Sequence, residues 1–240
     1  MSEVAKADAP PASVKSWPRD YAETILVCLI FVIFSRTFLF QQSKIPSGSM
    51  MDTLLVGDYI MVNRFVYSAR STGLEEALLP VRNIRRGDVI VFKQPDKPEV
   101  DYIKRVAGLP DDMVELRGGY LWVNGKRVEE PHVEHDYRFD WVARRAGLRP
   151  NFENFGPMKV KPGHYFVLGD HRNASYDSRE WGQVPGQLIK GRALLIWWSF
   201  NESSQLSATP GVGERVKSWA AKVAFFFTRT RWRRCFQIIR

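Results

Sequence analysis

Cysteine and histidine are scarce in this chain, which has two cysteines and four histidines among 240 residues. Cys28 lies in an apolar stretch and Cys235 lies far from it along the chain, so the sequence predicts no disulfide framework. His132 and His135 stand near acidic residues, but no fixed helical or knuckle spacing would hold them around a metal ion. We therefore expect no metal site and no cofactor.

Two catalytic motifs are also missing. The chain has no Gly-x-Ser-x-Gly sequence, which disfavours an α/β-hydrolase. It has no Ser-x-x-Lys sequence, which disfavours the class of the penicillin-binding proteins. A serine enzyme with this sequence would therefore need a different arrangement of nucleophile and base.

Positive charge is confined to one part of the chain. Residues 211–240 contain eight basic residues and one acidic residue, so they carry +7 of the net charge of +9. The remaining residues are close to neutral. This distribution argues against a basic, nucleic-acid-binding body and indicates a separate basic segment.

Only one strongly apolar run is present. Residues 21–40 are about long enough to cross a bilayer as a helix, and residues 25–34 are uninterrupted apolar. Glu23 and Arg36 lie near the two ends, where long side chains can reach the lipid headgroups. We therefore predict a transmembrane helix over residues 21–40, preceded by a disordered cytoplasmic segment over residues 1–20.

Two alternatives exist for this apolar run. A cleavable signal peptide would explain Lys15 and Arg19 before it, but residues 36–41 are bulky and offer no small-x-small cleavage site. A buried core helix is the second alternative, and the length and position of the run argue against it. Basic residues are denser before the run than after it, which favours a cytoplasmic N-terminus.

The sequence after the apolar run predicts strands and turns. Residues 57–62 (GDYIMV) and 87–92 (GDVIVF) each join a Gly-Asp turn to a β-branched run, and Asn124-Gly125 is a hairpin signal. We expect a mainly β protein with one compact antiparallel β domain over residues 41–205. Residues 129–157 are predicted to be an inserted polar excursion, and residues 206–240 a linker and a basic amphipathic tail.

A serine and a lysine form the candidate catalytic pair. Ser49 lies in residues 45–51 (IPSGSMM), and Lys104 lies in the strand-like residues 100–106 (VDYIKRV). A serine hydroxyl needs a base to take its proton, and a lysine made neutral by burial can be that base. Taken alone, the serine would be a turn residue and the lysine a solvated strand residue. Their combination behind an apolar segment indicates catalysis.

Three motifs occur in order: residues 45–51, residues 102–110 (YIKRVAGLP) and residues 169–179 (GDHRNASYDSR), followed by residues 181–185 (WGQVP). Together they strongly resemble bacterial type I signal peptidase (leader peptidase), a family of Ser–Lys serine peptidases. The resemblance extends from the apolar run to about residue 200. It implies a β catalytic domain of the signal-peptidase type behind one transmembrane helix, and an endopeptidase that removes signal peptides from secretory precursors after translocation.

The resemblance also implies roles for individual residues. Ser49 would be the acylated nucleophile and Lys104 the general base. Ser47 would supply a hydroxyl to the oxyanion hole beside the backbone N–H of Ser49. Ser175 would form a hydrogen bond that orients the Lys104 amine.

The third motif would support the site. Asp177 and Arg179 are expected to form an ion pair there. The usual family pattern has Asn, Asp and Asn where His171, Asn173 and Ala174 stand. The resemblance further implies shallow apolar pockets for small residues such as alanine, shaped by Ile45, Pro46, Met50, Tyr102 and Ile103.

The implied partners are secretory precursors with small-x-small cleavage sites, membrane phospholipids and the protein-export machinery, with no nucleic acid. The implied location is the bacterial cytoplasmic (inner) membrane, with a single pass and the catalytic domain on the outer (periplasmic) face. A self-cleaving repressor would need a DNA-binding module where the apolar run stands. Two further hypotheses are a membrane-anchored peptide-binding protein without catalysis and a basic nucleic-acid-binding membrane protein.

The basic tail predicts a helix on a membrane surface. Apolar residues recur at helical spacing between residues 216 and 227, while Arg215, Lys222 and Arg229 share another face. A second transmembrane span is the first alternative, but the run is too short for it. Disorder of the tail is the second alternative.

Overall fold

The protein is represented by a computed structural model. The structure describes residues 17–34, 40–51, 53–64, 67, 82–133, 153–201 and 224–239. The chain divides into two units, Met1–Leu39 and Phe40–Arg240.

In the first unit, α1 covers Trp17–Phe34. Its large apolar side chains between Ile25 and Ile33 are each at least 52 % exposed. Within the described residues, no helix combines the length and the apolar character needed to cross a membrane. Residues 17–20 are helical rather than part of a disordered lead, which corrects the predicted boundary at residue 20. Residues 1–16 and 35–39 lie outside the described residues.

The second unit is built from strands, as the turn-and-strand pattern predicts. Strands β1 to β12 are Phe40–Lys44, Asp58–Asn63, Val89–Lys93, Asp101–Gly108, Met113–Arg117, Tyr120–Val123, Lys126–Arg127, Phe155–Lys159, His164–Leu168, Val184–Pro185, Ile189–Ser199 and Gln237–Ile238. Two short helices are α2 (Ser178–Trp181) and α3 (Phe226–Arg229). Single 3₁₀ turns cover Arg172–Ala174, Gly186–Leu188 and Trp232–Arg234.

The described strands form two antiparallel sheets. The larger sheet has the order β1-β2-β11-β3-β4-β9-β10, with β12 paired to β11, and the smaller sheet has the order β7-β6-β5-β8. Phe40 opens β1, so the predicted apolar helix does not extend to residue 40. The fold is therefore mainly β and antiparallel, as the sequence predicts.

The two Gly-Asp turns lie where the sequence places them. Gly57 and Gly87 have φ values of 89° and 90°, a left-handed conformation that favours glycine. The turns feed β2, in which Ile60 and Val62 are buried, and β3, in which residues 89–92 are buried. Residue preference at a turn thus sets the start of two central strands.

The predicted excursion over residues 129–157 is corrected at its end. Phe155–Lys159 is strand β8, and it pairs with β5 in the smaller sheet. Phe155 and Met158 pack against the buried cluster around Val114 and Phe166, so this end of the excursion contributes to a hydrophobic core. Residues 134–152 lie outside the described residues.

The C-terminal segment, defined as residues 230–239, pairs with the larger sheet of the second unit. Strand β12 pairs with β11, with Leu195 opposite Ile238, and Ile239 is buried in the core at 3 % exposure. These residues therefore are not an appended tail, which corrects the interpretation of residues 206–240. The amphipathic pattern over residues 211–223 lies outside the described residues, and the described helix α3 is four residues long.

Candidate active site

Ser49 and Lys104 come together although 55 positions separate them in the chain. The Nζ of Lys104 lies 2.6 Å from the Oγ of Ser49, a hydrogen-bond distance. Lys104 comes from β4, which pairs with β3 on one side and β9 on the other. Ser49 comes from the loop between β1 and β2. The arrangement joins a nucleophile candidate directly to a base candidate.

Burial changes the chemistry of the lysine. Lys104 is buried, with only 4 % of the residue exposed. Desolvation lowers the pKa of Lys104 to about 8, and the nearby charge of Arg179 acts in the same direction. Asp177 and Asp170 raise the pKa and partly oppose this shift. A large fraction of the amine is therefore neutral at mildly alkaline pH, when it can accept a proton.

Residues 47–51 and 53–54 belong to a turn that is here called the nucleophile turn. Met51 N–H donates to the Gly48 carbonyl at 3.0 Å, and Leu54 N–H donates to the Met50 carbonyl. Met50 and Leu54 are fully buried in the core cluster of the larger sheet. This apolar anchoring leaves Ser49 partly exposed at the surface above the core.

Residues 169–179 lie on the other side of the Ser49–Lys104 pair from the nucleophile turn and are called the motif loop. Asp177 accepts two hydrogen bonds of 2.8 Å from the guanidinium of Arg179, and both side chains are almost fully buried. The ion pair and the Gly169 N–H help hold the pKa of Asp177 low despite its burial. The Asp177–Arg179 pair is thus a buried, bidentate structural contact beneath the lysine.

Ser175 is completely buried in the motif loop, beside Asp177. Its Oγ has no hydrogen-bond partner of standard geometry among the described residues, although its proximity helps lower the pKa of Asp177. The expected hydrogen bond from Ser175 to Lys104 is therefore not formed in this structure. Glycine at position 169 allows Ser175 and the Ser49 carbonyl to approach its backbone closely. A Cβ there would collide with Ser175 Oγ and lie 2.5 Å from the Ser49 carbonyl oxygen.

A buried network that sequence reasoning missed links the nucleophile turn and the motif loop. Arg105 donates to both carboxylate oxygens of Asp170, at 2.8 and 2.7 Å, and to Thr53 Oγ1 at 3.1 Å. Thr53 Oγ1 in turn donates to Asp170. Arg105 follows Lys104 and points to the other side of β4. A charged residue beside a buried lysine was the available signal, but the sequence does not name its distant partners.

A groove of about 500 Å³ runs past the pair. Ser47, Ser49 and Lys104 line it together with Pro46, Tyr102 and Ile103 from the predicted substrate set. Further lining residues, not predicted as substrate contacts from the sequence, are Gly48, Met51, Val100, Asp101, His171, Ala174 and Tyr176.

Two predicted substrate residues do not line the groove. Ile45 and Met50 are 2 % and 0 % exposed and belong to the core beneath the nucleophile turn. The Met50 sulfur lies 3.4 Å from the backbone N of Asp170. The prediction that these two side chains shape the pockets is corrected, because both side chains are buried in the core of the larger sheet.

The described residues contain no cluster of three or more histidine, cysteine, aspartate or glutamate side chains that could hold a metal ion. His171 lies at the groove, where its Nδ1 is 3.3 Å from the Gly48 carbonyl oxygen. His135, considered above with His132, lies outside the described residues. The chemistry that the Ser49 hydroxyl and a neutral Lys104 amine can perform together is acyl transfer.

Comparisons with known proteins identify the family of this chain. The family model described as signal peptidase, peptidase S26 matches residues 18–198. Signal peptidase I of Pseudomonas fluorescens is 37 % identical over 214 residues, covering 76 % of this chain and 73 % of the relative. Signal peptidase I of Pseudomonas aeruginosa is 36 % identical, covering 75 % and 72 %, and that of Leptolyngbya laminosa is 34 % identical, covering 78 % and 83 %. The extent of these matches shows that the chain belongs to the signal peptidase family, peptidase S26.

Proposed function

We propose that this protein cleaves signal peptides from secretory precursors with Ser49 as nucleophile and Lys104 as general base. Family membership makes the chain a serine endopeptidase that removes signal peptides. The observation that carries the residue assignment is the 2.6 Å contact between Lys104 Nζ and Ser49 Oγ inside an open groove. A binding protein without catalysis would have no need of a buried amine at this distance.

The reaction proceeds in two stages. The neutral Lys104 amine takes the proton of Ser49 Oγ as the oxygen attacks the scissile carbonyl carbon. The resulting oxyanion receives hydrogen bonds from the Ser47 hydroxyl and the Ser49 backbone N–H. The C–N bond breaks as the Lys104 ammonium returns the proton to the leaving amine. A water molecule, deprotonated by the same lysine, then hydrolyses the ester and frees Ser49.

The groove would favour small residues beside the cleaved bond. Pro46, Tyr102 and Ile103 line it and offer apolar contact. Residues such as alanine would fit against these side chains. Ser175, Asp177 and Arg179 act as support behind Lys104 rather than as groups that touch substrate.

The apolar segment around α1 would anchor the enzyme in the bacterial cytoplasmic membrane. The support is the run of large apolar side chains between Ile25 and Ile33, each at least half exposed, which water would solvate poorly. A single pass with a cytoplasmic N-terminus would place the catalytic domain on the outer face. There the enzyme would meet precursors as they leave the export machinery.

Exposed aromatic side chains near the C-terminal segment would contact lipid. Phe227 and Phe236 are 78 % and 76 % exposed, and Trp232 is 51 % exposed. Arg229 and Arg233 lie among them in the sequence, a combination that suits an anionic membrane surface. This replaces a long amphipathic helix by a short aromatic and basic surface as the proposed lipid contact.

Cleavage of a precursor tests the proposed function. Detergent-solubilised protein is incubated with a secretory precursor, and mass spectrometry identifies the cleaved bond. We expect one cut after a small-x-small sequence, and no cut by Ser49→Ala, which should fold and bind precursor normally. Turnover by a well-folded Ser49→Ala protein would remove Ser49 from the mechanism, and binding without any cut by the wild type would favour the peptide-binding hypothesis.

The lipid contact has its own test. Phe227→Ser with Phe236→Ser should weaken sedimentation of the protein with anionic liposomes and slow precursor cleavage there, with turnover in detergent unchanged. Glu99→Gln, an exposed substitution away from these aromatics, serves as control. Equal liposome binding by the double variant and the wild type would contradict the proposed contact.

A further inference from the structure

Glu130 lies outside the three sequence motifs and yet contacts one of them. It follows β7, at the start of the polar segment after the smaller sheet. Arg172, in the motif loop, donates from Nη2 to Glu130 Oε1 at 2.5 Å. The two side chains are 6 % and 4 % exposed, so this is a buried ion pair between distant parts of the chain.

Arg172 carries this contact into the motif loop. Its Nε donates to the Gly169 carbonyl at 3.1 Å, and its own carbonyl accepts from Arg179 Nη2 at 2.7 Å. One guanidinium therefore connects Glu130 to the start of the motif loop. The backbone carbonyl of Arg172 connects the same loop to the Asp177–Arg179 ion pair.

The position of Gly169 links the Glu130–Arg172 ion pair to Ser49 and Ser175. The space beside Gly169 is filled by Ser175 Oγ and the Ser49 carbonyl oxygen, with no room for even a Cβ atom. The N–H of His171 also donates to that Ser49 carbonyl at 3.2 Å. A displacement of Gly169 must therefore move the motif loop and the nucleophile turn together or open a gap between them.

Removal of Glu130 would produce such a displacement. Arg172 Nη1 and Glu130 Oε2 have no hydrogen-bond partner among the described residues, so the Nη2–Oε1 contact is the link that the structure gives this pair. A buried guanidinium without its carboxylate tends to turn toward water, since an unpaired buried charge is unfavourable. Arg172 would then release the Gly169 carbonyl.

We propose that Glu130 is a positioning residue for the peptidase reaction, acting through Arg172 to hold Gly169 and Ser175 against the Ser49–Lys104 pair. The inference rests on the proposed function and adds to it a residue from outside the family motifs. It also gives the segment after β7 a role, because this segment braces the motif loop from the side of the smaller sheet.

A looser motif loop would admit water to the lysine. The charged groups around Lys104 are Asp170, Asp177 and Arg179 of the motif loop, with Tyr102 of its own strand beneath the amine. Those around Glu130 are Arg172 and His132, with Arg105 and Asp170 close to His132. Because burial is the main cause of the low Lys104 pKa, hydration would raise that pKa toward its ordinary value.

The test compares Glu130→Ala and Glu130→Gln with Glu129→Ala, an exposed neighbouring acid, in the full-length protein. Lysine labelled with ¹³C at Cε reports the Lys104 titration by NMR, assigned by its loss in Lys104→Met. We expect Glu130→Ala to raise the Lys104 titration midpoint by roughly 0.5–1 pH unit and to lower kcat near pH 7 by about 3–10-fold. KM should change little, and most of the rate should return at alkaline pH.

Glu130→Gln keeps an acceptor for Arg172 and should give a smaller shift in the same direction, which keeps the test informative if Glu130→Ala folds poorly. An unchanged Lys104 midpoint in both variants, or equal effects of Glu129→Ala, would overturn the inference. Failure of the wild type to cleave precursor while Lys104 still titrates low would instead count against the proposed function.

Discussion

The two members of the proposed catalytic pair, Ser49 and Lys104, are held in different ways. Lys104 lies in β4, with Ile90 of β3 opposite it, and its neighbour Arg105 lies opposite Leu168 of β9. Ser49 lies in a turn outside any strand, and its position depends on side chains from several parts of the chain. Backbone pairing on both sides fixes the lysine, while the serine depends on contacts that single substitutions can remove. Substitutions near Lys104 should therefore alter proton transfer, and substitutions near Ser49 should alter the position of the Ser49 hydroxyl.

The strongest test of the lysine side of this comparison is Lys104→Arg against Lys104→Met. Both variants should lose essentially all cleavage, because a guanidinium stays protonated at any usable pH and a thioether cannot take a proton. Single-turnover cleavage of a precursor, with folding checked by circular dichroism, is the measurement. Substantial activity of a folded Lys104→Arg protein would show that another group acts as base. Lys97→Arg, at an exposed position, serves as a matched control and should keep full activity.

On the serine side, Ser47→Ala should have the next largest effect. It removes one hydroxyl from the groove and leaves the Ser49–Lys104 contact in place. Loss of one oxyanion donor typically lowers kcat by about 10²–10³-fold. Steady-state kinetics should show this loss in kcat with little change in KM. A loss confined to KM would mean that Ser47 binds substrate and does not stabilise the transition state.

The sequence predicted the strand-held partner better than the turn-held one. The strand-like pattern of residues 100–106 placed Lys104 on a strand, and turn glycines located β2 and β3. The resemblance to the family placed Ile45 and Met50 at the groove, although both are buried in the core. Inward and outward positions in an irregular turn follow no fixed period, so local sequence could not assign them.

Long-range polar contacts were the other part that the sequence could not supply. Asp58 begins β2 as the turn pattern predicts, but its arginine partners lie more than 170 positions away. The helical spacing of apolar and basic residues suggested that the C-terminal tail faces a membrane. The partner of a buried carboxylate is set by tertiary packing, and no spacing rule identifies it.

The pH profile of the wild type refines the lysine side. The active amine is neutral, and the pKa of Lys104 is lowered to about 8 by burial. Below that value kcat/KM should fall about tenfold per pH unit, and above it the rate should level off. Cleavage of a peptide substrate between pH 6 and pH 10, roughly the range spanned by the depressed and ordinary lysine values, would measure this. A profile that is flat across pH 8 with chemistry rate-limiting would contradict a lysine base.

The smallest expected effect on rate comes from the C-terminal segment, on the serine side. Arg234 donates to the Thr53 carbonyl at 2.9 Å and to Asp58 Oδ2 at 2.7 Å. Asp58 is fully buried and also accepts from Ser199 Oγ at 2.6 Å and from the Leu55 N–H at 2.9 Å. Arg234 therefore holds the end of the nucleophile turn and balances a buried carboxylate at once.

Arg234→Ala should lower kcat a few-fold and reduce the free energy of unfolding by about 1–3 kcal/mol, because the remaining partners of Asp58 compensate only part of its charge. Arg233→Ala, an exposed neighbour, should stay within about 0.5 kcal/mol of wild type. Urea unfolding of Arg234→Ala, Asp58→Asn and the double variant measures the coupling between the two residues. If Arg234 balances the buried Asp58 carboxylate, Asp58→Asn should cost less stability in the Arg234→Ala background than alone. Additive effects on stability would mean that the two residues are not coupled, and an unchanged kcat of Arg234→Ala would mean that the nucleophile turn keeps its position without this arginine.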